Sequence, residues 1–125
     1  MNSPTQKEKV EIYDTTLRDG AQGPGIKFST DDQIRVILAL DDLGVHYIEA
    51  GQPASNPKAE QIFNKAKSLN LKHTKIVAFG STRHPKSHIS EDPNINALLR
   101  AETEITTIFA KTSALHATEV LGVSL

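Results

Sequence analysis

The sequence predicts an α/β domain built on a parallel sheet. Three observations carry that expectation. Short β-prone apolar runs alternate strictly with amphipathic helical stretches. Strand starts recur every ~30 residues or a little more, the length of one βα unit. The loops leaving the strands are punctuated by glycine, proline and N-capping residues. Four consecutive βα units result. Such a run folds either as an open doubly wound sheet or as half of an eight-unit barrel. The pattern alone favours the open sheet, because a half barrel keeps two unpaired parallel edges.

Residues 10–13 alternate in polarity and form the first predicted strand. A helix opens at Thr30, with Gln33 completing a capping box and Asp31 and Asp32 in the first turn. Ile34, Val36, Ile37, Leu38, Leu40 and Leu43 cover one broad arc, Arg35 and Asp42 lie opposite, and Gly44 is the stop. Residues 45–50 are the second strand. Asn56 is the N-cap of the next helix and Pro57 its first residue. There Ala59, Ile62, Phe63, Ala66 and Leu69 share one face, and Lys58, Glu60, Lys65 and Lys67 take the water side. The continuous apolar run 75–79 predicts a strand buried on both faces. Asp92 and Pro93 open a third helix through Ile95, Leu98 and Leu99, and residues 105–109 form the fourth strand. A last helix is expected from Ser113, with Ala117, Val120 and Leu121 on one face. The 80–92 connection, with Arg83, His84, Pro85, Lys86 and His88, is the longest loop at a strand exit.

With 125 residues there is room for one modest domain, residues 10–125, preceded by a polar tail over residues 1–9. A formal net charge of −1 gives no electrostatic reason to expect nucleic acid or an anionic membrane as partner. The absence of cysteine removes disulfide and thiolate chemistry and fits a reducing compartment, so the cytoplasm is the expected location. No apolar run approaches the ~20 residues of a membrane span.

The functional signal is the stretch Tyr13-Asp14-Thr15-Thr16-Leu17-Arg18-Asp19-Gly20-Ala21-Gln22, which leaves the first strand and runs on to Gly23 and Gly25. Ligands of α/β proteins bind at strand exits, so a cation and an anion side by side there suggest a carboxylate or carbonyl clamp beside a metal ligand. A surface ion pair in a turn is the alternative reading. The stretch resembles the signature of the metal-dependent acyl-CoA condensing enzymes and lyases built on a TIM barrel. That family includes isopropylmalate, homocitrate and citramalate synthases. Ser55-Asn56-Pro57-Lys58, Ala78-Phe79-Gly80-Ser81-Thr82-Arg83 and Thr107-Ile108-Phe109-Ala110-Lys111, with Leu115-His116 and Thr118-Glu119, are most similar to the citramalate synthase branch. The resemblance implies a partial TIM barrel, the first four βα units of a (β/α)8 barrel, from the front of a longer protein.

What it further implies is a Claisen-type condensation of acetyl-CoA with a 2-oxo acid such as pyruvate, in branched-chain amino-acid biosynthesis. A divalent metal ion (Mg, Mn or Zn) assists, and acetyl-CoA is the co-substrate. Asp19 matches the family's metal-ligating aspartate, and Arg18 the arginine that stabilises charge developing on an oxygen. Gln22 is either a further hydrogen-bond donor to substrate or a loop-closing amide. Glu49 ends the second strand, where burying an unpaired carboxylate is costly, so Arg18 is its expected partner; a catalytic role and a structural ion pair both fit. Thr107 is either a substrate contact or a β-branched core residue.

The family's metal site takes two ligands from a His-x-His pair, which His46, His73, His84, His88 and His116 do not form. Pro85 keeps His84 out of a helix shared with His88. Ala50, Gln52, Ala54, Pro24 and Ser113-Ala114 depart from the family's residues, which bears on acceptor preference more than on Arg18 and Asp19. Isopropylmalate synthase, homocitrate synthase, a lyase and a non-catalytic interaction module remain alternatives. A half barrel with open edges is expected to form a homodimer or otherwise self-associate.

Overall fold

The structure is a computed structural model that describes residues 8–125; the predicted tail lies outside the described residues except for Glu8 and Lys9. In chain order the elements are β1 (Tyr13–Asp14), α1 (Thr30–Leu43), β2 (Tyr47–Gly51), α2 (Pro57–Ala66), β3 (Lys75–Ser81), α3 (Pro93–Ala101) and β4 (Ile105–Phe109). A π-helical turn, His116–Leu121, follows. The four strands are all parallel and stand in the order β1-β2-β3-β4. A doubly wound sheet reverses its strand order at a switch point, and this sheet does not. Right-handed crossovers taken always in one direction put every helix on the same face. Accordingly α1 packs on α2 and α2 on α3. This is barrel topology, and it displaces the open sheet that the bare pattern favoured.

The sheet is also strongly curled. Flat, β1 and β4 would lie roughly 14 Å apart, at about 4.8 Å per strand spacing. The hydroxyls of Tyr13 on β1 and Thr107 on β4 are nevertheless 2.7 Å apart on the concave face. Side chains bridge that gap only if the sheet bends around them.

The caps explain where the helices begin. Asn56 accepts from the Ala59 N–H at 2.8 Å, and Pro57 occupies the first turn. Asp92, fully buried, accepts from the N–H groups of Asn94 and Ile95 and from that of His84 in the preceding loop. At α1 the cap is Ser29, one residue before the predicted Thr30. Asp32 closes the box by accepting from the Ser29 N–H at 3.0 Å. Two overlapping boxes compete here, and the carboxylate is a stronger acceptor than the Gln33 amide. Gly44 ends α1 at φ 84°, a left-handed conformation natural to glycine.

The core lies between the helices and the convex face of the sheet, around Ile37, Ile48, Ala50, Ile62, Phe63 and Leu98. Gly80 lets α3 approach β3. A Cβ there would stand 3.0 Å from the Leu98 methyl and 3.0 Å from the Asn94 amide oxygen.

The second strand, expected over 45–50, runs Tyr47–Gly51, α2 ends before Leu69, and three other segments differ more. The first strand is two residues long and starts at Tyr13 instead of residue 10, because the Ile12 N–H bonds the His46 ring at 3.0 Å and leaves Val10 in solvent. The third strand runs on to Ser81, where the Thr82 N–H still reaches the Phe109 carbonyl at 2.9 Å. The helix expected from Ser113 is one π-helical turn without a buried residue. Of its apolar stripe Ala117 and Leu121 are only half-buried, Leu121 beside Pro85 and Phe109, and Val120 stays exposed, whereas most helix stability comes from packing of such a face.

Candidate active site

The stretch after β1 folds as a tight turn. The Asp14 carboxylate accepts from the N–H and the hydroxyl of Thr16, both at 3.0 Å, and the Thr15 carbonyl receives the N–H groups of Arg18, Asp19 and Gly20. Leu17 drops into the core. With Leu17 anchored, Arg18 turns toward the concave face and Asp19 to the rim.

Glu49 waits for Arg18 on that face. It lies next to a register shift in β2 between Glu49 and Gly51 and is 1% exposed. One of its oxygens accepts from the Arg18 Nε–H, and the other accepts from the Tyr13 hydroxyl at 2.5 Å. The expected partnership of Arg18 with Glu49 is therefore present in the geometry. The Arg18 guanidinium carbon sits 4.0 Å from the centre of the Phe79 ring, a cation–π contact. Phe79 in turn stacks on Phe109, with centroids 5.3 Å apart and planes at 7°. Arg18 Nη1 reaches the Asp19 carboxylate at 3.2 Å. Burial, and then the hydrogen bond to Glu49, push the Tyr13 phenol up to about 12.

The remaining predicted residues fall around this cluster. Thr107 lines the concave face, bonded to Tyr13. Gln22 sits in the short turn Gly20–Gln22 and, with Arg18, Gln33, Gln52 and Asn56, lines a cleft of about 260 Å³ between the β1 and β2 exits. Asp19 has a side chain 63% exposed at the rim, so its carboxylate is accessible to a hard divalent cation. Among the described residues no group of three or more His, Cys, Asp or Glu side chains converges to hold a metal. The donor set fits such an ion only in part: at this rim it presents one accessible carboxylate, that of Asp19. His84 and His88 each bond their own loop, through the Lys86 N–H and the Ser90 hydroxyl. Tyr13, Phe79 and Phe109 were not singled out in the sequence. They lie within the runs quoted for the resemblance, and the register adds a second signal: Tyr13 stands opposite Tyr47, two residues before Glu49, Phe79 stands opposite Thr107, and Phe109 lies two residues beyond Thr107, all on one face.

Residues 9–125 match the HMGL-like family. The chain belongs to that family. It is 53% identical over 118 residues to the (R)-citramalate synthase of Aquifex aeolicus, covering 94% of this chain and 22% of that protein. It is 48% identical over 118 residues to the (R)-citramalate synthase of Sulfolobus acidocaldarius, covering 94% and 23%. To a 2-isopropylmalate synthase of Staphylococcus aureus it is 36% identical over 115 residues, covering 92% and 22%. The chain thus spans between a fifth and a quarter of the length of the relatives it matches. The HMGL-like family and the sequential parallel strand order agree on the fold class, α/β with the first four units of a barrel. Among the described residues no helix is long and apolar enough to cross a membrane.

Proposed function

We propose that residues 10–125 form the amino-terminal half barrel of a citramalate synthase-like acyltransferase, which condenses acetyl-CoA with pyruvate and water to give citramalate and CoA on a route to isoleucine. The observation that carries this reading is the oriented Arg18 at the carboxyl end of the strands. Glu49 fixes one edge of its guanidinium, Phe79 covers a face, and the Nη2 group has no acceptor among the described residues. In this reading that group donates to the carbonyl oxygen that gains negative charge as the acetyl carbanion attacks. Support for citramalate over isopropylmalate comes from the higher identity to the proteins named (R)-citramalate synthase.

In this reading Asp19 contributes one ligand to a divalent cation, whose part when bound is to polarise the acceptor's keto oxygen as a Lewis acid. Gln22 and Thr107 contact the substrates, and Glu49 balances the charge of Arg18. The test is a chimera in which this chain replaces the matching region of the Aquifex aeolicus protein. CoA release is followed with pyruvate, 2-oxoisovalerate or 2-oxoglutarate as acceptor. Turnover is expected to be fastest with pyruvate and to vanish in Arg18→Lys. A folded chimera that prefers another 2-oxo acid, or turns over none, overturns the proposal.

A further inference from the structure

Glu49 is the most buried carboxylate of the concave face, and the direction of each proton around it can be worked out. Ionised, it is an acceptor only. The single proton of the Tyr13 hydroxyl therefore goes to Glu49, at 2.5 Å. The short contact between Tyr13 and Thr107, 2.7 Å, must then carry the threonine's proton toward Tyr13. The result is a chain running one way, Thr107 to Tyr13 to Glu49, which Arg18 enters from the other side through its Nε–H. It ties β4, β1 and β2 together across the mouth of the half barrel.

Both Glu49 oxygens are occupied, one by Arg18 and one by Tyr13. Removing the Tyr13 proton would leave a nearly fully buried carboxylate with only one partner, free to rotate its Arg18 ligand with it. Tyr13 itself is held in place by more than this contact, since its ring packs 6.1 Å from that of Tyr47. The raised ionisation range of Tyr13 agrees with a proton that stays on the phenol at neutral pH.

We propose that Tyr13 is a positioning residue that acts through Glu49, so that Arg18 presents its Nη2 donors to the reacting oxygen in one direction. As a corollary Glu49 is an anchor for Arg18 and not the base that takes a proton from substrate. The catalytic part of this inference rests on the proposed condensation; the linkage among Tyr13, Glu49 and Arg18 does not.

The experiment has arms that separate the two. The chain contains two tyrosines and no tryptophan, so Tyr47→Phe leaves Tyr13 as the only emitter. A phenol donating to a carboxylate is quenched, and emission of the folded Tyr47→Phe chain is expected several-fold below that of the same chain in denaturant. Equal emission means that the hydroxyl is not given to Glu49 and overturns the inference without disturbing the network. Hydrogen exchange of the Arg18 Nε–H, read by NMR and assigned with Arg18→Lys, is the second measurement. Tyr13→Phe should speed it at least tenfold while Tyr47→Phe leaves it unchanged; an unaltered rate in Tyr13→Phe overturns the inference.

The third arm uses the chimera. Tyr13→Phe should lower kcat about tenfold, equivalent to about 1.4 kcal/mol, with KM for acetyl-CoA within twofold of the parent. A merely structural tyrosine would lower thermal stability and leave kcat in the surviving folded fraction unchanged, and that result overturns the positioning role. If the parent chimera lacks turnover while the two spectroscopic arms behave as expected, the condensation reading fails and the linkage stands.

Discussion

Asp41→Asn tests a buried carboxylate held by three backbone N–H groups. Asp41 closes the last turn of α1, is 3% exposed, and accepts the backbone N–H groups of Lys72, His73 and Thr74 just before β3, at 2.8 to 3.1 Å. Those bonds, the one from Lys72 first, hold its carboxyl down from 3.8 to about 2 against the opposing effect of burial. At about 1.4 kcal/mol per pH unit, that displacement corresponds to about 2 kcal/mol of native stability. The folded value is depressed, so the contribution is fully present above the unfolded value of 3.8 and is lost as pH falls through about 2. Asparagine keeps an acceptor oxygen in the same shape but carries no charge. Urea unfolding of the two proteins at a series of pH values should give a gap of about 2 kcal/mol at pH 7 that narrows below pH 4 and closes near pH 2. The other carboxylates are common to both proteins and cancel in the difference. A gap that is absent at neutral pH, or that persists unchanged at pH 2, would refute the reasoning.

Three further outcomes are expected. In the chimera, Asp19→Asn should weaken divalent-metal binding strongly, because a neutral amide replaces an anionic ligand, while Arg18→Lys should keep the metal and lose turnover; isothermal titration and CoA release check both. Gly80→Ala should lower stability by about 1–3 kcal/mol, since the new methyl meets Leu98 and Asn94 at 3.0 Å, and a thermal melt no lower than the parent's would show that α3 yields freely. The 125-residue chain by itself should self-associate and show no condensation activity, because Leu99, Ile108 and Phe109 leave apolar surface exposed beside a β4 edge that pairs no strand among the described residues. A concentration-independent monomer in sedimentation would contradict that expectation.

What the sequence made legible was local chemistry. Asn56-Pro57, Asp92-Pro93 and Gly44 specify their helix ends through their own side chains and backbone preferences, and they stand where expected. Arg18 and Glu49 were legible as a pair for another local reason: a carboxylate at a buried strand position needs a cation, and few are near. The errors arose where the answer depended on a neighbour. Whether Val10 joins a strand depends on His46, whose ring captures the Ile12 N–H. Whether residues 113–121 make a regular helix depends on a surface to cover their apolar stripe. Tyr13 and Phe79 read as ordinary β-forming residues, and what they do at the site depends on the curl of the sheet, which no local pattern encodes.

The two ends of this sheet do different work. Asp41 ties α1 to the amino end of β3, whereas Arg18, Asp19 and Gln22 gather at the carboxyl end of β1, the end at which barrel enzymes carry their chemistry. The core of Ile37, Ile62 and Phe63 lies on the convex side, away from the Arg18 and Glu49 cluster on the concave side. Changes at the two ends therefore share no partner side chain. Asp41→Asn and Arg18→Lys should add in unfolding free energy to within about 0.5 kcal/mol, the margin usual for separate sites. Asp41→Asn measured in the chimera should keep the kcat of the parent. A coupling well above that margin would mean that strain at the base of the half barrel reaches Glu49 through β2, and the separation of a stability end from a chemical end would have to be given up.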